Sequence, residues 1–244
     1  MRFRIIGGTA AIVIVLLSGI IFAIAYDAPS CTDGKQNQQE EGIDCGGSCA
    51  YLCSASVTPV RVSFARALGA SGRVDLLAYV ENRNQAAEAR GAAYTAEVFA
   101  EDGTLLGKRE GRTDIPAGAI VPIFIPSFYS GAAPAARAFV SFDDGMRWSK
   151  PRAAPSGIAV TSVDLVPGSQ PRVNAALANA SAQTVYGQKL IVAVFDAAGA
   201  ALSASQTVVR EIPAQGTATA TFTWNAPFPA EPAKLEVLPV IVLP

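Results

Sequence analysis

The sequence predicts a mainly β protein in which an N-terminal transmembrane helix and a small disulfide-rich module precede two tandem β-sandwiches. Three observations carry this. Residues 5–25 hold no charged side chain, all four cysteines fall between Cys31 and Cys53, and the remainder repeats one pattern of apolar runs and turns. The expected boundaries are a cytoplasmic stub at 1–4, the helix at 5–26, the cysteine module at 27–55, and sandwiches at 56–150 and 156–244.

Residues 5–25 read IIGGTAAIVIVLLSGIIFAIA. As a helix rising ~1.5 Å per residue, the run matches the ~30 Å hydrocarbon core of a bilayer. Arg2 and Arg4 before it hold that end in the cytoplasm, which puts the bulk of the chain outside. The alternative is a cleaved signal peptide. Ala23-Ile24-Ala25 fits a cleavage site, but the run exceeds the usual apolar length of about 7–15 residues. Either reading gives an extracytoplasmic protein, single-pass in the cell membrane in the first case.

Cys31, Cys45, Cys49 and Cys53 are spaced C-x13-C-x3-C-x3-C. An even cysteine count outside the cytoplasm reads as two disulfides, with three connectivities open. Zinc is the alternative, and C-x3-C is less typical of it than C-x2-C. The segment has few apolar residues, so cross-links must supply its order. Asp33, Asn37, Glu40, Glu41 and Asp44 are spread along it. They read first as a solvated acidic loop and second as hard oxygen ligands for calcium, since glycines let the loop turn.

Residues 56–150 and 156–244 carry the same landmarks in the same order. Asn82 matches Asn179, Phe99 matches Phe195, and Ile115 matches Ile212, at offsets of 97, 96 and 97 residues. Such a constant offset marks an internal duplication. Apolar and polar residues alternate in residues 73–80, with a slip at Leu76-Leu77, and more cleanly in residues 218–224. Alternation marks half-buried strands, and Glu101-Asp102-Gly103 and Ala198-Gly199 mark turns between them. Units of this length with short strands fit a Greek-key sandwich of immunoglobulin type. Trp148 and Trp224 read as core or edge packing, with a carbohydrate platform as the alternative. The apolar end, residues 235–244, reads as a last strand with Pro239 at an edge, or as an exposed segment that pairs with a partner. Short proline-bearing joints predict a rod.

The composition excludes several functions. Charged residues make up 16%, below the ~25% usual in soluble proteins, so a disordered charged tail is not the main content. A net charge of -1 speaks against nucleic acid as a partner. The chain has no histidine, which removes His-based triads and His metal sites. No nucleophile elbow, phosphate loop or zincin motif occurs, so no enzyme is expected. Asp143-Asp144 reads as a turn rather than a proton-sharing pair. Asn179-Ala180-Ser181 fits a glycosylation sequon. The second copy is poor in charge, with 4 Lys/Arg and 5 Asp/Glu in residues 154–244 against 12 and 10 in residues 56–153. That suggests either a neutral small-residue surface or a face that meets a partner.

Two resemblances add to this. Cys31, Asp33, Gly34, Asn37, Glu40, Gly42, Asp44, Cys45, Gly46, Gly47 and Cys49 form C-x-D-G-x-x-N-x-x-E-x-G-x-D-C-G-G-x-C, which resembles a juxtamembrane motif of bacterial and archaeal envelope proteins. Asn82, Phe99, Asp102, Gly103, Ile115, Pro116 and Gly118, with Asn179, Phe195, Gly199, Ile212 and Pro213, resemble FxLYD-type and related immunoglobulin-like domains of bacterial surface proteins. The resemblances imply an extracytoplasmic, non-catalytic scaffold. The expected function is therefore structural or adhesive, through contact with other envelope proteins. A calcium- or glycan-binding surface module, or a subunit of an envelope complex, is the alternative. No cofactor is expected unless it is calcium.

Overall fold

Alternation sets the simplest strands of the computed structural model, which describes residues 15–19, 30–37, 39–69, 72–152 and 157–243. The chain divides into a unit at residues 1–50 and a unit at residues 51–244. The second unit carries β1 (Arg61–Leu68), β2 (Gly72–Glu81), β3 (Glu88–Phe99), β4 (Leu105–Ile115), β5 (Ile120–Gly131), β6 (Arg137–Phe142) and β7 (Trp148–Ser149). It continues with β8 (Ile158–Val166), β9 (Arg172–Asn179), β10 (Val185–Phe195), β11 (Ala201–Ile212), β12 (Thr217–Thr223) and β13 (Lys234–Pro239). In β6, Ala138 and Val140 point into the core between exposed neighbours. In β12, Ala220 and Phe222 do the same between threonines.

Both copies use one topology. The first pairs β1-β2-β5 in one sheet and β4-β3-β6 in the other, with β7 added beside β3. The second pairs β8-β9-β12 and β11-β10-β13. Each strand except β7 thus has its counterpart in the other copy, and each pair of sheets encloses its own core.

The repeated landmarks build the same corner twice. Asn82 is 1% exposed, and its amide donates to the Ala87 and Pro116 carbonyls at 2.8 Å each. Asn179 is 2% exposed and donates to the carbonyls of Gln183, Ile212 and Pro213. Each Asn also accepts a backbone N–H two residues on, from Asn84 and Ser181. The corner closes on a residue with positive φ, Gly118 at 63° and Gln215 at 50°. Asn179 is thus a structural clamp, and its sequon lies at a buried position.

The two sandwiches meet face to face. Leu68, Leu77 and Phe124 of the first pack with Ile191, Ala193, Phe195 and Ala204 of the second. Phe64 lies edge-on to Phe195, with centroids 6.0 Å apart, and tilted against Tyr79 at 5.5 Å. On β2, Leu76, Ala78 and Val80 face the first sandwich's core while Leu77 and Tyr79 face the junction. On β10, Leu190 and Val192 face the second core while Ile191, Ala193 and Phe195 face the junction. The slip at Leu76-Leu77 is the mark of a strand covered on both faces, as such strands read as continuous apolar runs. Residues 51–244 therefore stack four sheets rather than form the expected end-to-end rod. Part of the charge depletion in the second copy has the same cause, because its inner sheet is covered by the first.

The apolar C-terminus is ordered. β13 lies at a sheet edge, where Pro239 pairs opposite Leu190. Beyond it, Val240 N–H donates to the Lys189 carbonyl and Leu243 N–H donates to Asp114 of the first sandwich, at 2.8 Å.

The expected transmembrane helix is corrected. Among the described residues, no helix is long and apolar enough to cross a membrane. Residues 15–19 are helical, and the rest of 5–25 lies outside the described residues. The fold is thus a mainly β one with two disulfides, and the described residues contain no membrane helix. The joint expected near residues 150–156 lies partly outside the described residues.

Candidate functional site

The cysteine module organises itself through its own polar groups. Cys31 is bonded to Cys49, Cys45 and Cys53 are disulfide-bonded as well, and no cysteine is free. Asp33 accepts the backbone N–H of Ser30 at 3.1 Å and of Lys35 at 2.9 Å, and the Asn37 amide at 2.8 Å. The Ser30 N–H, then Asn37, then the Lys35 N–H hold its carboxyl below the ordinary aspartate range. Both carboxylate oxygens of Asp44 accept the Gly34 N–H, at 3.0 and 3.1 Å. Glu40 accepts the Asn37 N–H at 3.1 Å, and its other oxygen lies 3.3 Å from the Cys49 sulfur.

Two glycines permit that loop's geometry. Gly47 has φ +53°, and a Cβ there would overlap the Gln39 carbonyl. Gly46 has φ +78°, and a Cβ there would meet the Glu41 side chain.

The five oxygen-bearing residues expected as calcium ligands thus spend Asp33, Asn37, Glu40 and Asp44 on turn hydrogen bonds. The one group of metal-competent side chains among the described residues is Cys31, Glu40 and Cys49. Its two sulfurs are bonded to each other, so neither is a thiolate that could ligate a metal. Glu41 lies in the same turn, its backbone N–H donating to the Cys45 carbonyl.

Three hollows of the second unit differ in chemistry. The first, about 430 Å³, opens at the junction of the sandwiches between Trp224, Phe228 and Phe124, with Arg73, Asp75 and Gln206 on its rim. Trp224 donates its indole N–H to the Ser203 hydroxyl at 2.8 Å and packs edge-on to Phe228 at 5.0 Å. Asp75 is held in place by the Ser127 N–H at 2.6 Å and by Arg73 at 3.2 Å. The second hollow, about 310 Å³, is lined by Val57, Val62, Val140 and Met146 beside Asp143 and Asp144. Asp144-Gly145 forms a turn, as expected from the sequence. Trp148, at 6% exposure, is a core residue of the first sandwich.

The third hollow, about 300 Å³, is lined by Tyr51, Arg90, Arg147, Ser149 and Arg152. Sequence reading missed it because Tyr51 and Arg90 lie far along the chain from Arg147 and Arg152. Only the pairing of β7 with the start of β3, and of Tyr51 with Ser149, brings them together.

At the junction, the Tyr79 hydroxyl is buried without a hydrogen bond. Burial first, and then the charge of Glu236 facing it, push its pKa above the ordinary tyrosine range.

No protein-family model matches the chain, and no curated protein matches it in sequence. Among solved structures it is similar to a beta-glucuronidase of glycoside hydrolase family 2, at 11% identity and TM-score 0.25 over 66% of this chain and 21% of that one. It is similar to red sea bream transglutaminase, at 15% identity and TM-score 0.26 over 76% of this chain and 31% of that one. A beta-glucuronidase of Bacteroides uniformis aligns at 11% identity and TM-score 0.20, over 70% of this chain and 22% of that one. The chain spans between about a fifth and a third of the length of these proteins. Likeness at these TM-scores carries no argument about fold or activity.

Proposed function

We propose that the protein is an extracytoplasmic structural protein that offers a rigid pair of immunoglobulin-like sandwiches for contact with other proteins. The observation that carries the reading is the doubly covered pair of inner sheets, built on β2 and β10. A shared apolar junction fixes the two sandwiches against each other, so their outer sheets and edges hold constant positions for a partner. Four oxidised cysteines support an oxidising compartment. The lack of histidine, with every cysteine bonded, removes common nucleophile–base pairs and supports a non-catalytic role.

Photo-cross-linking in intact cells tests this, with benzoylphenylalanine placed singly at Phe139 and Val208, which are 54% and 60% exposed. The expected result is a discrete adduct with one identifiable extracytoplasmic protein. An uncross-linked chain from every exposed position speaks against it.

One observation favours a second reading, glycan binding: Trp224 and Phe228 beside Arg73, Asp75 and Gln206 in the junction hollow. Saturable quenching of Trp224 fluorescence by an oligosaccharide, lost in Phe228→Ala, would favour it over the first.

A further inference from the structure

We propose that Arg90, Arg147 and Arg152 form a binding site for a tetrahedral oxyanion, a phosphate or sulfate group. The inference is independent of the function proposed above. With Tyr51 and Ser149, the three arginines line one cavity of about 300 Å³. Elsewhere the charges pair locally, as in Arg73–Asp75, Arg83–Glu81, Lys108–Glu110 and Lys234–Glu236. Among the described residues, none of these three arginines takes part in an ion pair. Three guanidinium groups around one cavity repel one another, and an oxyanion relieves that repulsion while accepting their forked N–H donors.

The backbone fixes the site before any ligand arrives. Arg90 sits at a β-bulge, where the β3–β4 pairing shifts between Ala89 and Ala92 and Gly91 takes φ +56°. A bulge re-aims the side chains beside it. This one is locked, because Gly91 N–H donates to Asp114 at 2.7 Å and its carbonyl accepts Arg112 at 2.9 Å. Ser149 pairs with Glu88 on one side and with Tyr51 on the other. The Arg147 guanidinium lies over the Tyr51 ring, 4.5 Å from its centroid. Stacking holds the guanidinium plane and leaves its in-plane N–H groups free to donate. Glu88, two residues before Arg90, is buried and forms no ion pair with the three.

The test is titration of the purified full chain with inorganic phosphate, followed by calorimetry. A parallel titration uses phosphatidylcholine vesicles with and without phosphatidic acid. Saturable binding is expected, weakened at least about tenfold by Arg90→Gln and by Arg152→Gln, since each removes a charge-assisted contact. Arg210→Gln, on β11, should bind as the parent does. Thermal melting of each variant checks folding. Where Arg147→Gln lowers the melting temperature through loss of the Tyr51 stack, the other two variants carry the test. Binding of inorganic phosphate assigns the site to a small phosphate. Binding confined to phosphatidic acid vesicles, in excess of phosphatidylcholine alone, assigns it to a lipid headgroup. Absence of binding in both arms, or binding that the Arg90 and Arg152 variants leave unchanged, overturns the proposal.

Discussion

Replacing Phe195 by alanine should destabilise both sandwiches at once. Phe195 is 7% exposed at the junction, and its ring meets Phe64 of the other sandwich edge-on at 6.0 Å. Truncating a buried phenylalanine costs about 3–5 kcal/mol, of which the aromatic pair supplies about 0.5–1.5. At ~2–4 °C per kcal/mol for a body of this size, the melting temperature should fall by about 6–20 °C. Phe139→Ala is the control, because that ring also lies edge-on to a partner, Phe99 at 5.7 Å, but is 54% exposed. It should cost less than about 1 kcal/mol. A double-mutant cycle of Phe64→Ala and Phe195→Ala, read by urea and thermal unfolding, should give a coupling of about 0.5–1.5 kcal/mol. Zero coupling, with Phe195→Ala behaving like Phe139→Ala, would refute the junction.

Three further outcomes follow from the same geometry. Asn179→Ala should cost about 2–4 kcal/mol in denaturant unfolding, because it leaves the Gln183, Ile212 and Pro213 carbonyls without their donor. Tyr79→Phe should be neutral or stabilising at pH 7, since the buried hydroxyl has no hydrogen-bond partner. Its pKa is raised in the fold, so the folded state keeps the proton that the unfolded chain loses above about pH 10. The phenol's contribution is therefore complete below that pH and lost as pH rises past it. Alkaline unfolding of Tyr79→Phe should begin at higher pH than that of the parent. Gly47→Ala should block formation of the native disulfides, because its Cβ would strike the Gln39 carbonyl. Peptide mapping under non-reducing conditions reads the loss of the Cys31–Cys49 linkage.

Much of this fold was legible along the chain. The landmarks at Asn82 and Asn179 located a duplicated corner, which the hydrogen bonds of both amides reproduce. The strand over residues 217–223 was plain because it faces a core on one side only. The junction was hidden for the opposite reason. Leu76-Leu77 and the run from Leu190 to Phe195 break alternation, and that break is itself the sign of cover on both faces. The membrane helix was inferred from an uncharged apolar run of spanning length behind a basic flank, and the described residues contain no helix that fits it. In the cysteine module, the carboxylates of Asp33, Glu40 and Asp44 accept backbone N–H groups, and Asn37 donates its amide to Asp33. Short-range spacing does not separate a ligand set from a set of turn caps, since both need oxygens at alternate bends. The arginine cavity left no signal because strand pairing, not sequence proximity, assembles it.

Hydroxyl-radical footprinting of the folded chain reads cover on the two faces of β2 and β10 residue by residue. Leu77 and Ile191, which face the junction, should be protected as strongly as Leu76 and Leu190, which face the separate cores. Oxidation of Leu77 and Ile191 at the rate of exposed Leu105, with Leu76 and Leu190 still protected, would contradict the four-sheet stack.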